Sequence, residues 1–359
     1  MSPRPEPPPP YLTVVVPSRN DDHGGGMTER MVACVHGLLD QARRHRLRGE
    51  LVLVEWNPPE GRPPLASVFD WSRAEGFEAR VVTVPPELHR RFAHSDKVNV
   101  HVLAAWNVGI RRARGEFVLC TSADVLLSDE LARFLASEKL EPDAMYHIDR
   151  TNVAPEVARG AATEDRLRAC AENVLGVDEP IRNEFPPGLG IPDLHLSAPG
   201  DFALLSRTRW HALGGYPEFD TLGIGVDILF CYLAHHEGAR EVVLRPPMRL
   251  YHIDHSRNWG SSRHAVERVL YEGLRLKERV PRSVRRAFAP LLLRLFPRRK
   301  SRWEALGIPG LRFSDVEDYV VDLYRGRNRI PPNGPDWGFA ADTLPEAWLS
   351  ASGRSSSGS

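Results

Sequence analysis

A chain of 359 residues can bury a large core, enough for one big α/β domain with extensions or for two domains. Its 47 basic and 47 acidic residues cancel, so no global field argues for a nucleic-acid partner. The four cysteines, Cys34, Cys120, Cys170 and Cys231, form no CxxC pair, and no run approaches ~18 uninterrupted apolar residues. A reduced cytoplasmic protein without a membrane span or signal peptide is the simplest expectation.

Residues 1–10 form a proline-rich leader, expected to be extended and disordered. Leu12 to Val16 is a β-branched run, predicted as a strand, and it is stopped by Pro17. The polar stretch Ser18 to His23 and the glycines Gly24, Gly25 and Gly26 follow at its carboxyl end. Such a loop suits a phosphate or nucleotide, although the glycines lack Walker spacing. Thr28 is placed to cap a helix running to about His45. Leu51 to Glu55 reads as a second strand, Ser67 to Glu75 as a short helix, Arg80 to Val84 as a third strand, and Val98 to Arg114 as a helix.

Gly115 then opens the run Phe117 to Cys120, a buried strand by its composition, which ends in Ser122-Ala123-Asp124. The β-α alternation up to this point predicts an α/β fold with a mostly parallel sheet, and the carboxyl edge of such a sheet is where ligands bind. Asp124 therefore has three readings: a cap for a helix beginning near Val125, a metal ligand, or an acid/base.

Further on, Met145 to Asp149 alternates like a strand, Thr163 to Asn173 reads as a helix, and Asp178 to Pro199 as a long loop, a length usually functional or disordered. Gly200 to Ser206 reads as a strand, and Gly214-Gly215-Tyr216 as a turn. Asp227 opens a helix over Ile228 to Glu237, whose N-terminus would hold a carboxylate ionised. Strand Arg249 to His252 leads into Asp254 and His255. Strand alternation would point His252 and His255 to opposite faces, with His252 at the strand end.

After Gly260 the chain becomes more basic. Ser262 to Arg279 reads as a charged helix, and 282–303 interleaves arginines with leucines. That amphipathic pattern fits a docked helix with its arginines in water, or peripheral contact with an anionic membrane. Asp315 to Arg325 reads as a last helix, Pro331 to Gly338 as a rigid turn-rich segment, and 350–359 as a floppy tail.

Taken together, Val14 to Asn20, Val54-Glu55, Asn107-Val108-Gly109-Ile110 with Ala113 to Glu116, and Ser122-Ala123-Asp124 resemble the nucleotide-sugar half of family 2 glycosyltransferases of the GT-A fold. The resemblance spans Leu12 to His255 with its motifs in the family's order. It implies a GT-A-type domain at 11–260, with a nucleotide-sugar half at 11–130, an acceptor half at 131–260, and a helical extension at 261–349. By resemblance, Pro17, Arg19 and Asp21 line the nucleoside pocket, Glu55 receives the pyrimidine ring, and Asn107 lies in a donor-side motif. Ser122, Ala123 and Asp124 fall on the Asp-x-Asp motif, whose last acid holds a Mn2+ or Mg2+ ion bridging the diphosphate. A histidine after the last strand, His252 or His255, completes that metal site, and Asp227 is the general base. The sequence departs from the family at Ser122 and at Val226, where acids are usual, and Trp106 replaces a basic residue before Asn107.

The expected activity is metal-dependent, inverting transfer of a sugar from a nucleotide-diphosphate donor, UDP preferred, to a hydroxyl or amine acceptor. A sugar nucleotidyltransferase would share the strand-end acids, but its glycine-rich first loop with lysine or arginine is not found. A non-catalytic GT-A-like binding protein is favoured by the two missing acids, and a retaining transferase would use the same fold.

Overall fold

The structure is a computed structural model, and it describes residues 9–160, 162–183, 185–219, 225–255, 313–328, 330, 332–349 and 356–357. By contacts the chain divides into Met1–Asp254 with Gly310–Ser359, and a second unit, His255–Pro309, of which His255 is described. The predicted helices over 262–279 and 282–303 lie outside the described residues.

The first half alternates as expected: β1 (Leu12–Ser18), α1 (Met27–His45), β2 (Gly49–Trp56), β3 (Glu78–Val84), α2 (Pro86–His89), α3 (Val102–Arg112) and β4 (Phe117–Thr121). β1 pairs in parallel with β2 on one side and β4 on the other, and β2 pairs in parallel with β3. Every residue of β1 and β2 is buried. Alternate side chains serve two cores: Val15, Val52 and Val54 pack with Ala105 and Val108 of α3, while Val14, Val16 and Leu51 pack with Met31 and Val35 of α1. Helices on both faces explain why these strands are apolar throughout rather than alternating.

The second half adds β5 (Val125–Leu127), α4 (Asp129–Ala136), β6 (Ala144–Ile148), β7 (Arg150–Val153), α5 (Thr163–Glu172), β8 (Val174–Val177), β9 (Phe202–Ser206) and α6 (Arg207–Leu213). After these come α7 (Val226–His236), β10 (Arg240–Leu244), β11 (Leu250–Ile253), α8 (Phe313–Tyr324), β12 (Glu346–Leu349) and the two-residue β13 (Ser356–Ser357). The main sheet has the order β10-β6-β9-β4-β1-β2-β3-β12-β13, and a second sheet has the order β5-β11-β7-β8. Among the described strands of the main sheet only β9 and β12 run against the rest. This is the mixed, mostly parallel sheet flanked by helices that the sequence predicts.

Four expectations are corrected. Ser67 to Glu75 is not an α-helix but two 3-10 turns, Leu65–Ser67 and Trp71–Ala74. The described part of the 261–349 extension is not a separate helical piece. Val316, Val320 and Leu323 of α8 are buried in the core around α7, and β12 extends the main sheet beside β3. The tail also pairs, since Trp348 of β12 lies opposite Ser356.

Asn107 is the fourth correction, because it is a strut rather than a ligand contact. It is fully buried on α3; its Nδ2 donates to Tyr216 O and Glu218 Oε1, each at 2.8 Å, and its Oδ1 accepts Tyr216 N–H at 2.7 Å. Gly215, at φ 73°, passes so close that a Cβ there would lie 2.3 Å from that Oδ1. Both ends of the amide are thus consumed in fastening α3 to the turn after α6. Asn107→Ala would leave the Tyr216 amide group and Glu218 without their buried partner. A loss of about 2–4 kcal/mol in urea unfolding is expected, with nucleotide affinity of the folded protein unchanged.

Candidate functional site

In the main sheet the chain moves outward from β1 through β2 and β3, then returns to β4 on the other side of β1. The loops leaving β1 and β4 therefore flank a crevice at the point where strand order reverses, the usual ligand position in an open α/β sheet. The β1 loop holds Gly24, Gly25 and Gly26 at φ 69°, 76° and 64°, a left-handed run that side chains bearing a Cβ resist by about 1–2 kcal/mol each. Arg30, in the first turn of α1 and 4 % exposed, clamps this loop: its Nη1 donates to Gly25 O and its Nη2 to His23 O at 2.6 Å. Its Nε lies 3.9 Å from Asp124 Oδ2 across the crevice. Burial lowers the Arg30 pKa, and Asp124 opposes that effect.

Asp124 does not cap a helix. The residues after it form β5, and the next helix, α4, is capped by Ser128, whose Oγ accepts Leu131 N–H at 3.2 Å. β5 runs antiparallel to β11, with His252 opposite Val125, and Ile253 N–H donates to Asp124 O at 2.9 Å. That register brings His252 Nε2 to 3.8 Å from Asp124 Oδ2. On its other side β11 pairs with β7, placing Asn152 beside the ring, with Asn152 Oδ1 3.0 Å from His252 Nδ1. Asn152 Nδ2 donates to Asp178 Oδ1 at 2.6 Å, which assigns the amide oxygen to the histidine and makes Nδ1 the protonated nitrogen. Nε2 therefore turns its lone pair toward Asp124.

One ligating atom each from Asp124, His252 and His255 lie within 4.8 Å of one another. The expected opposition of the two histidines does not arise, because β11 ends at Ile253 and the chain leaves the strand pleat before His255. The 3.8 Å between carboxylate and imidazole is too long for a hydrogen bond. It falls between the ~3.0 Å and ~4.2 Å that separate neighbouring and opposite donors of an octahedral ion with ~2.1 Å bonds. A set of one carboxylate and two imidazoles suits manganese better than magnesium, which favours oxygen alone.

Sequence reasoning missed Asp201. The β4–β9 register sets Thr121 opposite Phe202, so the next residues out, Ser122 and Asp201, face each other. Ser122 Oγ donates to Asp201 Oδ1 at 2.5 Å, and Arg150 Nη1 donates to Asp201 Oδ2 at 2.8 Å. Arg150 Nε also donates to Asp178 Oδ2 at 2.8 Å, closing a circuit back through Asn152 to His252. A carboxylate thus stands beside Ser122, brought from the residue before β9 and held by Ser122 and Arg150, a neighbour no linear motif reveals.

Asp227 lies in the first turn of α7, beside the Gly200-Asp201 corner. A Cβ on Gly200 would stand 3.1 Å from Asp227 Oδ2, and the carboxylate accepts the backbone N–H groups of Ile228 and Gly200. Desolvation raises its pKa to about 6, against those N–H groups, and Asp201 adds to the rise. Val226, the departure beside it, is buried among apolar side chains.

The remaining candidates divide. Arg19 joins the ends of β1 and β2, with Nε donating to Asn57 O and Nη1 to Asp21 Oδ2, both at 2.7 Å. Pro17 is buried within β1 opposite Val54, and Ala123 packs into the core beneath α1, so neither side chain is presented to the crevice. Glu55 is 2 % exposed; it accepts Leu65 N–H at 2.8 Å and a Thr83 hydrogen bond, and burial raises its pKa. Its carboxylate thus fixes the loop after β2 from inside, instead of projecting toward a ligand.

No protein-family model and no curated protein matches the chain. Among solved structures, the chain is similar to Staphylococcus aureus TarS residues 1–349 (17 % identity, 74 % of this chain and 64 % of that one, TM-score 0.44). It is similar as well to the same TarS segment in complex with UDP-GlcNAc (15 %, 88 % and 80 %, TM-score 0.42). A third is the catalytic domain of Drosophila beta1,4galactosyltransferase 7 with xylobiose (12 %, 66 % and 65 %, TM-score 0.34). The match spans a little under two thirds of the first of these chains. At such scores the likenesses decide nothing about chemistry, which rests on the side chains in the crevice.

Proposed function

We propose that this chain is a GT-A-type glycosyltransferase that transfers a sugar from a nucleotide-diphosphate donor, UDP-linked by preference, to a hydroxyl or amine acceptor with inversion. The observation that carries the reading is the meeting of Asp124, His252 and His255 at the strand-order reversal, beside a glycine loop braced by Arg30. Asp124 and the two histidines would hold a divalent cation, manganese before magnesium. When bound, that ion supplies positive charge against the departing diphosphate. Arg30 ties the glycine loop to α1 beside Asp124. Asp227 takes the acceptor proton as the acceptor oxygen or nitrogen attacks the anomeric carbon, and the bond to the diphosphate breaks on the opposite face. A carboxylate with a pKa near 6 is a stronger base than an ordinary aspartate and is still ionised at neutral pH.

The second reading, a donor-binding protein without turnover, is favoured by Ser122 and Val226. Against it, Asp201 restores an acid next to Ser122. The proposed setting is the cytoplasm; no helix among the described residues is long and apolar enough to cross a membrane.

In a thermal-shift panel of nucleotide sugars, a UDP-linked donor is expected to raise Tm only when manganese is present, and Asp124→Ala is expected to lose that response. Donor stabilisation that ignores both metal and Asp124 would refute the cation role. Because Asn152 orients His252, Asn152→Ala is expected to weaken manganese binding ten- to a hundred-fold in calorimetry while leaving Tm of the metal-free protein within a few degrees.

For Asp227 the folded pKa is raised, so ionising it costs stability. That cost is absent below the unfolded value near 4, grows as pH rises to about 6, and is full above it. The catalytic trend is the reverse, with kcat/KM falling as pH drops through about 6. Asp227→Asn is expected to abolish turnover and to raise Tm at pH 8 but not at pH 4. A flat pH–rate profile between pH 5 and 8 would remove Asp227 from the base role.

A further inference from the structure

The second sheet ends on β8, which pairs with β7 on one side and with no described strand on the other. All four of its residues are exposed, Val174 by 42 %, Leu175 by 59 % and Val177 by 50 %. Three of the four exposed large apolar side chains among the described residues thus belong to this one strand. The register with β7 sets Gly176 opposite Asn152 and Val174 opposite Val153, so Leu175 is the extra residue of a bulge. Asp178 N–H donates to Arg150 O, which makes Thr151 and Val177 a pair that is not hydrogen-bonded to each other. The N–H and C=O of Val177 therefore point away from β7, to the open edge.

Open apolar edges attract other chains, and proteins ordinarily blunt them with charge, proline or an overlying element. The edge strand β10 of the main sheet follows that rule. It carries Arg240 and Glu241, with Arg240 paired to Glu141 at 2.6 Å and Glu241 accepting His195 N–H at 2.7 Å. β8 holds no charge and no proline; its acids stand at the two ends, Glu172 before it and Asp178 and Glu179 after it. Asp178 is consumed by Arg150 and Asn152. Glu172 and Glu179 are exposed and enter no ion pair of the described residues. Glu172 closes α5, an end where the helix dipole disfavours an acid, so its placement does not serve that helix.

We propose that the open edge of β8 docks an extended polypeptide segment of another protein, apolar at its centre and basic on both sides, as a fifth strand of the second sheet. Main-chain hydrogen bonds to the edge hold such a segment, and its apolar side chains cover Val174, Leu175 and Val177. Its flanking lysines or arginines answer Glu172 and Glu179. A second copy of this chain fits less well. Antiparallel self-pairing of β8 about its centre sets Val174 opposite the other copy's Val177, but it also sets Glu172 opposite the other copy's Glu179, and like charges face to face repel. Four residues, ~13 Å of strand, also fall well short of the ~800 Å² that each partner buries in a stable dimer. The edge lies two strands from His252 and is independent of the donor chemistry.

The test is fluorescence anisotropy of labelled peptides titrated with the full chain at low ionic strength. The peptide Lys-Lys-Val-Thr-Val-Thr-Val-Lys-Lys is expected to bind saturably. Binding is expected to weaken at least tenfold when its lysines become glutamates, and at least tenfold when both threonines become prolines, which cannot donate to the edge. Leu175→Ser with Val177→Pro removes apolar cover and the outward donor while sparing the β7 ladder, and is expected to weaken the lysine-flanked peptide at least tenfold with Tm within a few degrees. Should that variant fail to fold, Glu172→Lys with Glu179→Lys stands in, expected to transfer the preference to the glutamate-flanked peptide. The proposal is overturned by the absence of a saturable anisotropy change, by equal affinity for the altered peptides, by unchanged affinity or preference in the variants, or by a concentration-dependent dimer in sedimentation that the Leu175 and Val177 changes abolish.

Discussion

Three residues of β5 pair with β11, and through that short ladder an imidazole from late in the chain reaches the carboxylate at the end of β4. The ladder also answers what Asp124 does locally. With β5 extended and Ser128 capping α4, the aspartate is not spent on a helix end. β11 is held on its other edge by β7, so the residue that orients His252 comes from the same small sheet that delivers it. Position and tautomer of the candidate ligand thus follow from one set of backbone pairings.

The second constraint is the antiparallel strand β9. Inserted between β4 and β6, it brings Gly200 and Asp201 against Ser122 and within reach of Asp227. A serine hydroxyl donating to a carboxylate from the neighbouring strand keeps an acid in the crevice, and Arg150 balances the charge that Asp201 and Asp178 would otherwise bury together. The circuit Ser122–Asp201–Arg150–Asp178–Asn152–His252 links the end of β4 to β11 through hydrogen bonds and ion pairs.

Elsewhere, buried polar groups serve the scaffold. Asn107, Glu55 and Arg30 each anchor a loop or turn, and two of them stood among the ligand-contact candidates because their positions in the sequence motifs match. A motif fixes where a residue sits along the chain; whether its polar atoms face ligand or protein depends on what packs against it.

The sequence by itself determined the alternation of strands and helices through Asp124, the mostly parallel sheet, and the residues most worth placing: Asp124, Asp227 and the two late histidines. These were legible because apolar periodicity and strand-end polarity are local properties. The tertiary structure decided that the two histidines converge with Asp124, that Asp201 lies against Ser122, and that Asn107 and Glu55 are consumed internally. It also decided that 313–349 joins the main fold. The positions of His252 and Asp201 depend on the register between strands far apart in the chain. Register is set by which faces bury together, a quantity no single stretch of residues contains.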